Sequence, residues 1–185
     1  MPRKANLLLD LSSSLGSLQS RNTKEPALNK TLIIIRHAHR DTSKGQEVNN
    51  GLSDKGRRQV RKLFDFFFER YPDYEKPVLI TSPKKRCVET LEPLARKLER
   101  KIHLEKDLEE RSSEETSAEF KRRVRRFAKH WLQQKEKLTV ISSHGDWIPV
   151  FLKELIGVSV HLQKGGWIEI VMNEKPELTW LIQNL

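Results

Sequence analysis

The chain has 185 residues, enough for one domain with a sizeable core at roughly 100 to 200 residues per domain. Lysine and arginine number 35 against 25 acidic residues, a net charge of +10 that favours anionic substrates or partners without saying which. The single cysteine, Cys87, excludes an intramolecular disulfide framework and a multi-cysteine zinc site, and a reducing, cytoplasmic setting is expected.

Residues 1–30 are rich in Ser, Asn and Lys and read as a mobile arm, with a short amphipathic helix predicted at Asn6–Leu18. The apolar stretch Leu7-Leu8-Leu9 is cut by Asp10, a poor match to an export signal. A single domain is expected over 31–185. Its first element, Leu32-Ile33-Ile34-Ile35, is a mostly β-branched apolar run that fits a strand buried on both faces. Ser53 then caps a helix whose apolar positions Val60, Leu63, Phe64, Phe67 and Tyr71 recur every three or four residues. Pro77–Thr81 reads as a second strand, and Val88, Leu91, Leu94, Ala95 and Leu98 mark the helix after Pro83. Lys101–Leu104 is a third strand, and Ala118–Gln133 a basic helix with Phe120, Val124, Phe127 and Trp131 inward. Leu138–Ile141 is a fourth strand, followed by a helix that ends at Gly157. Trp167–Val171 and Leu178–Ile182 are expected to close the chain as strands at a sheet edge. Alternating β and α elements predict an α/β fold, a mostly parallel open sheet with helices on both faces. No apolar run approaches the about 18 residues of a membrane span, so a soluble protein without membrane partners is expected.

Ligands of open α/β sheets sit beyond the carboxyl ends of the strands, where this chain gathers its polar residues. The first strand is followed by Arg36-His37-Ala38-His39-Arg40, the second by Ser82-Pro83-Lys84-Lys85-Arg86, and the fourth by Ser143-His144-Gly145-Asp146. Paired arginines meet phosphoryl oxygens through bidentate hydrogen bonds, and a neutral imidazole beside them can attack phosphorus.

These segments resemble, in order, the motifs of the histidine phosphatase superfamily. Arg36-His37-Ala38 is similar to its Arg-His-Gly signature, with Ala38 adding a methyl where the family has glycine. Leu52-Ser53-Asp54-Lys55-Gly56-Arg57-Arg58-Gln59 resembles its Leu-Thr-x-x-Gly-x-x-Gln helix start. The run from Ser82 to Thr90 resembles Ser-Pro-x-x-Arg-x-x-x-Thr, and Ser143-His144-Gly145 resembles the second histidine motif. The resemblance implies a phosphoglycerate mutase-like three-layer αβα sandwich and a metal-independent phosphatase without a cofactor. It implies His37 as nucleophile, with Arg36, Arg86 and His144 around the phosphoryl group. Leu108-Glu109-Glu110-Arg111 is similar to the family's Leu-x-Glu segment, which implies Glu110 as general acid. Only 34 positions separate Glu110 from His144, too few for a large covering insertion, so the open site of the small phosphohistidine phosphatase branch is expected. The substrate would then be a phosphorylated small molecule or a phosphoprotein.

Other readings attach to single features. His39 and Arg40 are possible substrate contacts or solvated loop residues. His37, His39 and Asp41 at alternating positions suit the start of a metal motif, but Thr42 stands where its next histidine belongs. His103, His130 and His161 lack partner motifs and read as structural, and Cys87 as a packing residue with no base opposite it. The basic face at 121–129 is the case for a non-catalytic protein that binds nucleic acid or an acidic partner. Nucleic acid is disfavoured because Phe127 and Trp131 point inward and cannot stack on bases.

Overall fold

The computed structural model describes residues 30–45, 48–73 and 76–183. The arm and the helix expected at Asn6–Leu18 lie outside the described residues. The elements run β1 (Lys30–Arg36), α1 (Asp54–Arg70), β2 (Val78–Thr81), α2 (Lys85–Lys97), β3 (Ile102–Leu104), α3 (Ser117–Gln133), β4 (Leu138–Ser143), α4 (Trp147–Ile156), β5 (Trp167–Met172) and β6 (Pro176–Ile182). One sheet has the order β3-β2-β4-β1-β5-β6, with β3, β2, β4 and β1 parallel and β5 and β6 antiparallel.

Alternation along β1 explains the layers. Leu32 and Ile34 face Phe127 of α3 and Phe151 of α4, whereas Ile33 and Ile35 face Leu63 and Phe67 of α1 and Leu91 and Leu94 of α2. Helices thus cover both faces, which is why β1 is apolar without a break. Ser53 caps α1 by accepting from the Gly56 amide, and Thr116 with Glu119 forms a full capping box on α3. The other end of α3 is held by buried Lys30, whose ammonium donates to the carbonyls of Trp131, Leu132 and Gln134 at 2.6, 2.9 and 3.0 Å. A cation there meets the negative end of the helix dipole.

The expectation that both closing strands lie at an edge fails for β5. It is hydrogen-bonded to β1 on one side and β6 on the other, and only β6 is an edge. The exception in its apolar pattern, Glu169, is buried and takes a bidentate ion pair from Arg70 at 2.9 and 3.0 Å. No helix among the described residues is long and apolar enough to cross a membrane.

Candidate active site

The carboxyl ends of β2, β4 and β1 lie side by side, which brings three of the polar segments together. The chain leaving β1 is fastened on several sides. The His37 amide donates to the Ser143 carbonyl at 3.0 Å, and the Gly165 amide to the Arg36 carbonyl at 3.1 Å. The Ala38 amide donates to Thr90 Oγ1 at 3.0 Å, and that hydroxyl donates to the Arg86 carbonyl at 2.7 Å. Thr90 therefore ties the first segment to the helix turn that carries Arg86. The Ala38 methyl is fully buried against Leu52 and Val60, so it faces the core.

His37 is 5 % exposed, and its Nδ1 lies 2.8 Å from the Ala38 carbonyl. A carbonyl only accepts, so Nδ1 carries the proton and Nε2 keeps its lone pair. Burial, with Arg86, Arg36 and Lys164 nearby, lowers the His37 pKa to about 3. The ring is therefore neutral near pH 7 and can act as a nitrogen nucleophile.

His144 follows β4, its ring centroid 5.3 Å from that of His37. Arg86 Nη2 lies 3.3 Å from its Nδ1 and can only donate, so Nε2 carries the proton and donates to Ser82 Oγ at 2.8 Å. Burial and the adjacent His37 and Arg86 lower the His144 pKa to about 2. At the next residue, a Cβ on Gly145 would stand 2.5 Å from Cζ of Arg36, so any larger residue there would displace that guanidinium. That close approach leaves room for the Arg36 guanidinium, whose Nη1 donates to the Leu162 carbonyl at 2.7 Å. Nε of Arg36 and of Arg86 are buried without a hydrogen-bond partner among the described residues.

Of the two adjacent carboxylates, the structure brings Glu110 to this cluster. It pairs with Arg86, and its other oxygen lies 3.6 Å from His144 Nδ1, while Glu109 pairs with Lys84 at 3.3 Å. The segment that carries Glu110 follows a 3-10 turn, Lys106–Leu108, and is held from α3. Arg123 donates to the carbonyls of Asp107, Glu109 and Glu110 at 3.0, 2.7 and 2.9 Å while Glu115 balances its charge. Sequence reasoning gave Arg123 only a place in a basic run.

Arg36, His37, Arg40, Glu110 and His144 line one cleft of about 470 Å³, and Gly145, Asp146, His161 and Lys164 complete its wall. His161, expected to be structural, is thus part of the site, and Lys164, to which the sequence assigned no site role, lines it as well. Both belong to the loop between α4 and β5, which Gln59 clips to the first segment. Its Oε1 accepts from the His39 amide and its Nε2 donates to the Lys164 carbonyl, each at 2.8 Å. His39 is not on the cleft wall; its Nδ1 lies 2.8 Å from Ser53 Oγ at the start of α1. His37 and His39 therefore do not converge on one metal position. Cys87 Sγ lies 3.5 Å from His144 Nε2, which carries the proton in this tautomer and so is no base toward the thiol. Burial raises the thiol pKa to about 12, so it stays protonated and packs. The basic face of α3 is partly neutralised, with Arg125 paired to Glu154 and Arg126 to Asp107.

Comparison with known proteins bears on the sequence pattern and the fold. The sequence pattern of the histidine phosphatase superfamily (branch 1) matches residues 32–118. A putative alpha-ribazole-5'-P phosphatase from Escherichia coli superposes with a TM-score of 0.70 at 16% identity, covering 84% of this chain and 96% of its own. A mutant phosphoserine phosphatase from Entamoeba histolytica, solved with phosphoserine, gives 0.67 at 16% identity over 83% and 96%. A mycobacterial glucosyl-3-phosphoglycerate phosphatase in complex with VO3 gives 0.63 at 14% identity over 82% and 98%. No curated protein matches the chain. Residues 32–118 thus carry the pattern of the histidine phosphatase superfamily, within a three-layer fold that brings the two histidine segments together at the carboxyl ends of β1 and β4.

Proposed function

We propose that the domain at 31–185 is a metal-independent phosphatase that hydrolyses a phosphomonoester or a phosphohistidine through a phosphohistidine intermediate on His37. The observation that carries this reading is the neutral His37 ring, with its Nδ1 proton engaged and Nε2 unprotonated, near buried Arg86 and half-buried Arg36. Nε2 attacks phosphorus and the bond from phosphorus to the leaving oxygen breaks. Glu110 donates its proton to that oxygen. Water then attacks the phosphohistidine, its proton passes to Glu110, and the N–P bond breaks to release inorganic phosphate.

Arg36 and Arg86 supply donors to the phosphoryl oxygens. The entering dianion takes Arg86 over from Glu110, and its charge favours a proton on that carboxyl. It also reverses the sign of the field at His144, which can accept a proton at Nδ1 and donate it to the phosphoryl group. The open cleft is compatible with a protein-borne phosphate as well as a small ester.

The test is hydrolysis of an aryl phosphate in excess EDTA by wild type and His37→Ala. Activity that persists in chelator and drops by about 10³-fold or more in the variant is the expected result. Loss of activity on chelation, or full turnover by the variant, would overturn the reading.

A further inference from the structure

At the end of the sheet opposite β6 lies β3, which is hydrogen-bonded to β2 alone and so keeps an open edge. A groove runs between this strand and α3, made of two adjoining hollows of about 460 and 560 Å³ that share Arg126 and His130. Leu104 of β3 lines the first, and Arg122 and Lys129 line the second. We propose that this groove docks an extended acidic segment of a partner protein, whose backbone pairs with β3 and one of whose apolar side chains covers Leu104. None of these residues lines the catalytic cleft, so the docking does not depend on the phosphatase reading.

Three observations single out that occupant. Arg122, Arg126, Lys129 and His130 fall at the spacing of one helix face and are all exposed, while Phe127 and Trp131 are buried. Charge is the second. Arg125 and Arg126 are matched by Glu154 and Asp107, whereas Lys106, Arg122 and Lys129 make no ion pair among the described residues. Glu105, the other carboxylate on the wall, is engaged by the Asp107 amide, which donates to it at 3.0 Å. The groove therefore keeps a positive surplus that an acidic chain would neutralise, and complementary charge across an interface selects partners. The third is Leu104, 62% exposed beside these cations. In strand addition an open edge supplies main-chain hydrogen bonds, and side chains along it supply selectivity. Another copy of this chain is a poor occupant, because a two-fold axis at the edge would set the same cations, with Lys101 and Lys106 flanking β3, against one another. Nucleic acid would find no exposed aromatic face in the groove on which to stack, since Phe127 and Trp131 are buried.

The test is fluorescence polarisation of a labelled peptide, Glu-Asp-Leu-Asp-Leu-Glu-Asp, with the full chain. The same peptide with serine in place of leucine, and a labelled oligothymidylate of equal charge, serve as controls. Wild type is expected to bind the leucine peptide about fivefold more tightly than the serine peptide, and more tightly than the oligonucleotide. Leu104→Ser should remove that preference for leucine. Arg122→Gln combined with Lys129→Gln should weaken both peptides alike, by about fivefold, and flatten the dependence on salt. Aryl phosphate turnover and the melting temperature should not change in any variant, since all three positions are exposed and outside the cleft. Absence of binding, equal binding of the two peptides by wild type, or a leucine preference that survives Leu104→Ser overturns the proposal. Tighter binding of the oligonucleotide also overturns it. So does a wild-type dimer in sedimentation that Leu104→Ser dissociates, which would give the edge to another copy of the chain.

Discussion

On α3, Arg123, Arg125 and Arg126 each meet a carboxylate through two nitrogens, and Arg123 also fills three backbone carbonyls. In the cleft, Arg36 and Arg86 keep a buried Nε without a partner among the described residues, and His37 and His144 are driven to the neutral form. The same side chain is therefore used in two ways on the two sides of the Glu110 segment. Where positive charge is matched locally, it fastens elements. Where it is crowded and only lightly matched, the fold holds a field that an incoming anion relieves. Glu110 stands at the boundary, as the carboxylate that Arg86 holds until a phosphoryl group replaces it.

The contrast is tested most sharply at Arg86. Arg86→Met should lower kcat/KM by about 10²- to 10³-fold, as for a lost transition-state donor. Its stability should change by only about 1 kcal/mol, because apolar volume is kept and Glu110, 40% exposed, hydrates when released. A collapse of the melting temperature would instead place Arg86 with the fastening arginines. Arg123→Met is expected to act on both quantities. Lost charged hydrogen bonds and an unmatched Glu115 should cost about 3 kcal/mol in denaturant titration. Activity on an alkyl phosphate should fall about tenfold as the Glu110 segment loosens, and 4-nitrophenyl phosphate, whose leaving group needs less help from an acid, should suffer less. Equal losses on both substrates would remove Arg123 from any role in positioning the acid.

The division between legible and hidden features follows the same line. The β1 core pattern and the four motif segments were visible because periodicity and local order are properties of the sequence. Gln59, Thr90 and Gly145 then proved to be the fasteners that make those segments converge. The interior place of β5 was hidden, since an apolar strand reads alike whichever neighbour pairs with it. His161 and Lys164 were hidden because no motif spans the distance from their loop to Arg36. For Arg123, periodicity revealed a charge off the apolar stripe and nothing about the carbonyls it meets.

The cleft field should also show in stability against pH. His37 and His144 are neutral in the fold down to pH of about 3 and about 2, whereas in the unfolded chain each protonates near 6.5. Their contribution is fully present above about 6.5 and declines as pH falls toward those lower values. Each approaches a slope of about 1.4 kcal/mol per pH unit in that window. Denaturant titrations between pH 4.5 and 6.5, above most carboxylate titration, should show this, and His144→Gln should remove about half of it. An unchanged slope would mean that His144 is not held neutral by its surroundings.

Arg126 should give the smallest effect, and for that reason it bounds the comparison from the other side. Its side chain is 65% exposed, and Asp107, its partner, is 12% exposed. The pair should therefore be worth about 1 kcal/mol at most, less at high salt. The Asp107 backbone has other supports, since its carbonyl accepts from Trp147 Nε1 at 2.6 Å and from Arg123 Nη1 at 3.0 Å. Arg126→Gln should thus leave the Glu110 segment in place, with kcat/KM within about twofold of wild type and only a slight shift of the denaturation midpoint. A loss of activity comparable to that of Arg123→Met would show that charge on the outer face of α3 reaches the cleft. The local matching of charge that separates the two groups of arginines would then not be sufficient to insulate one from the other.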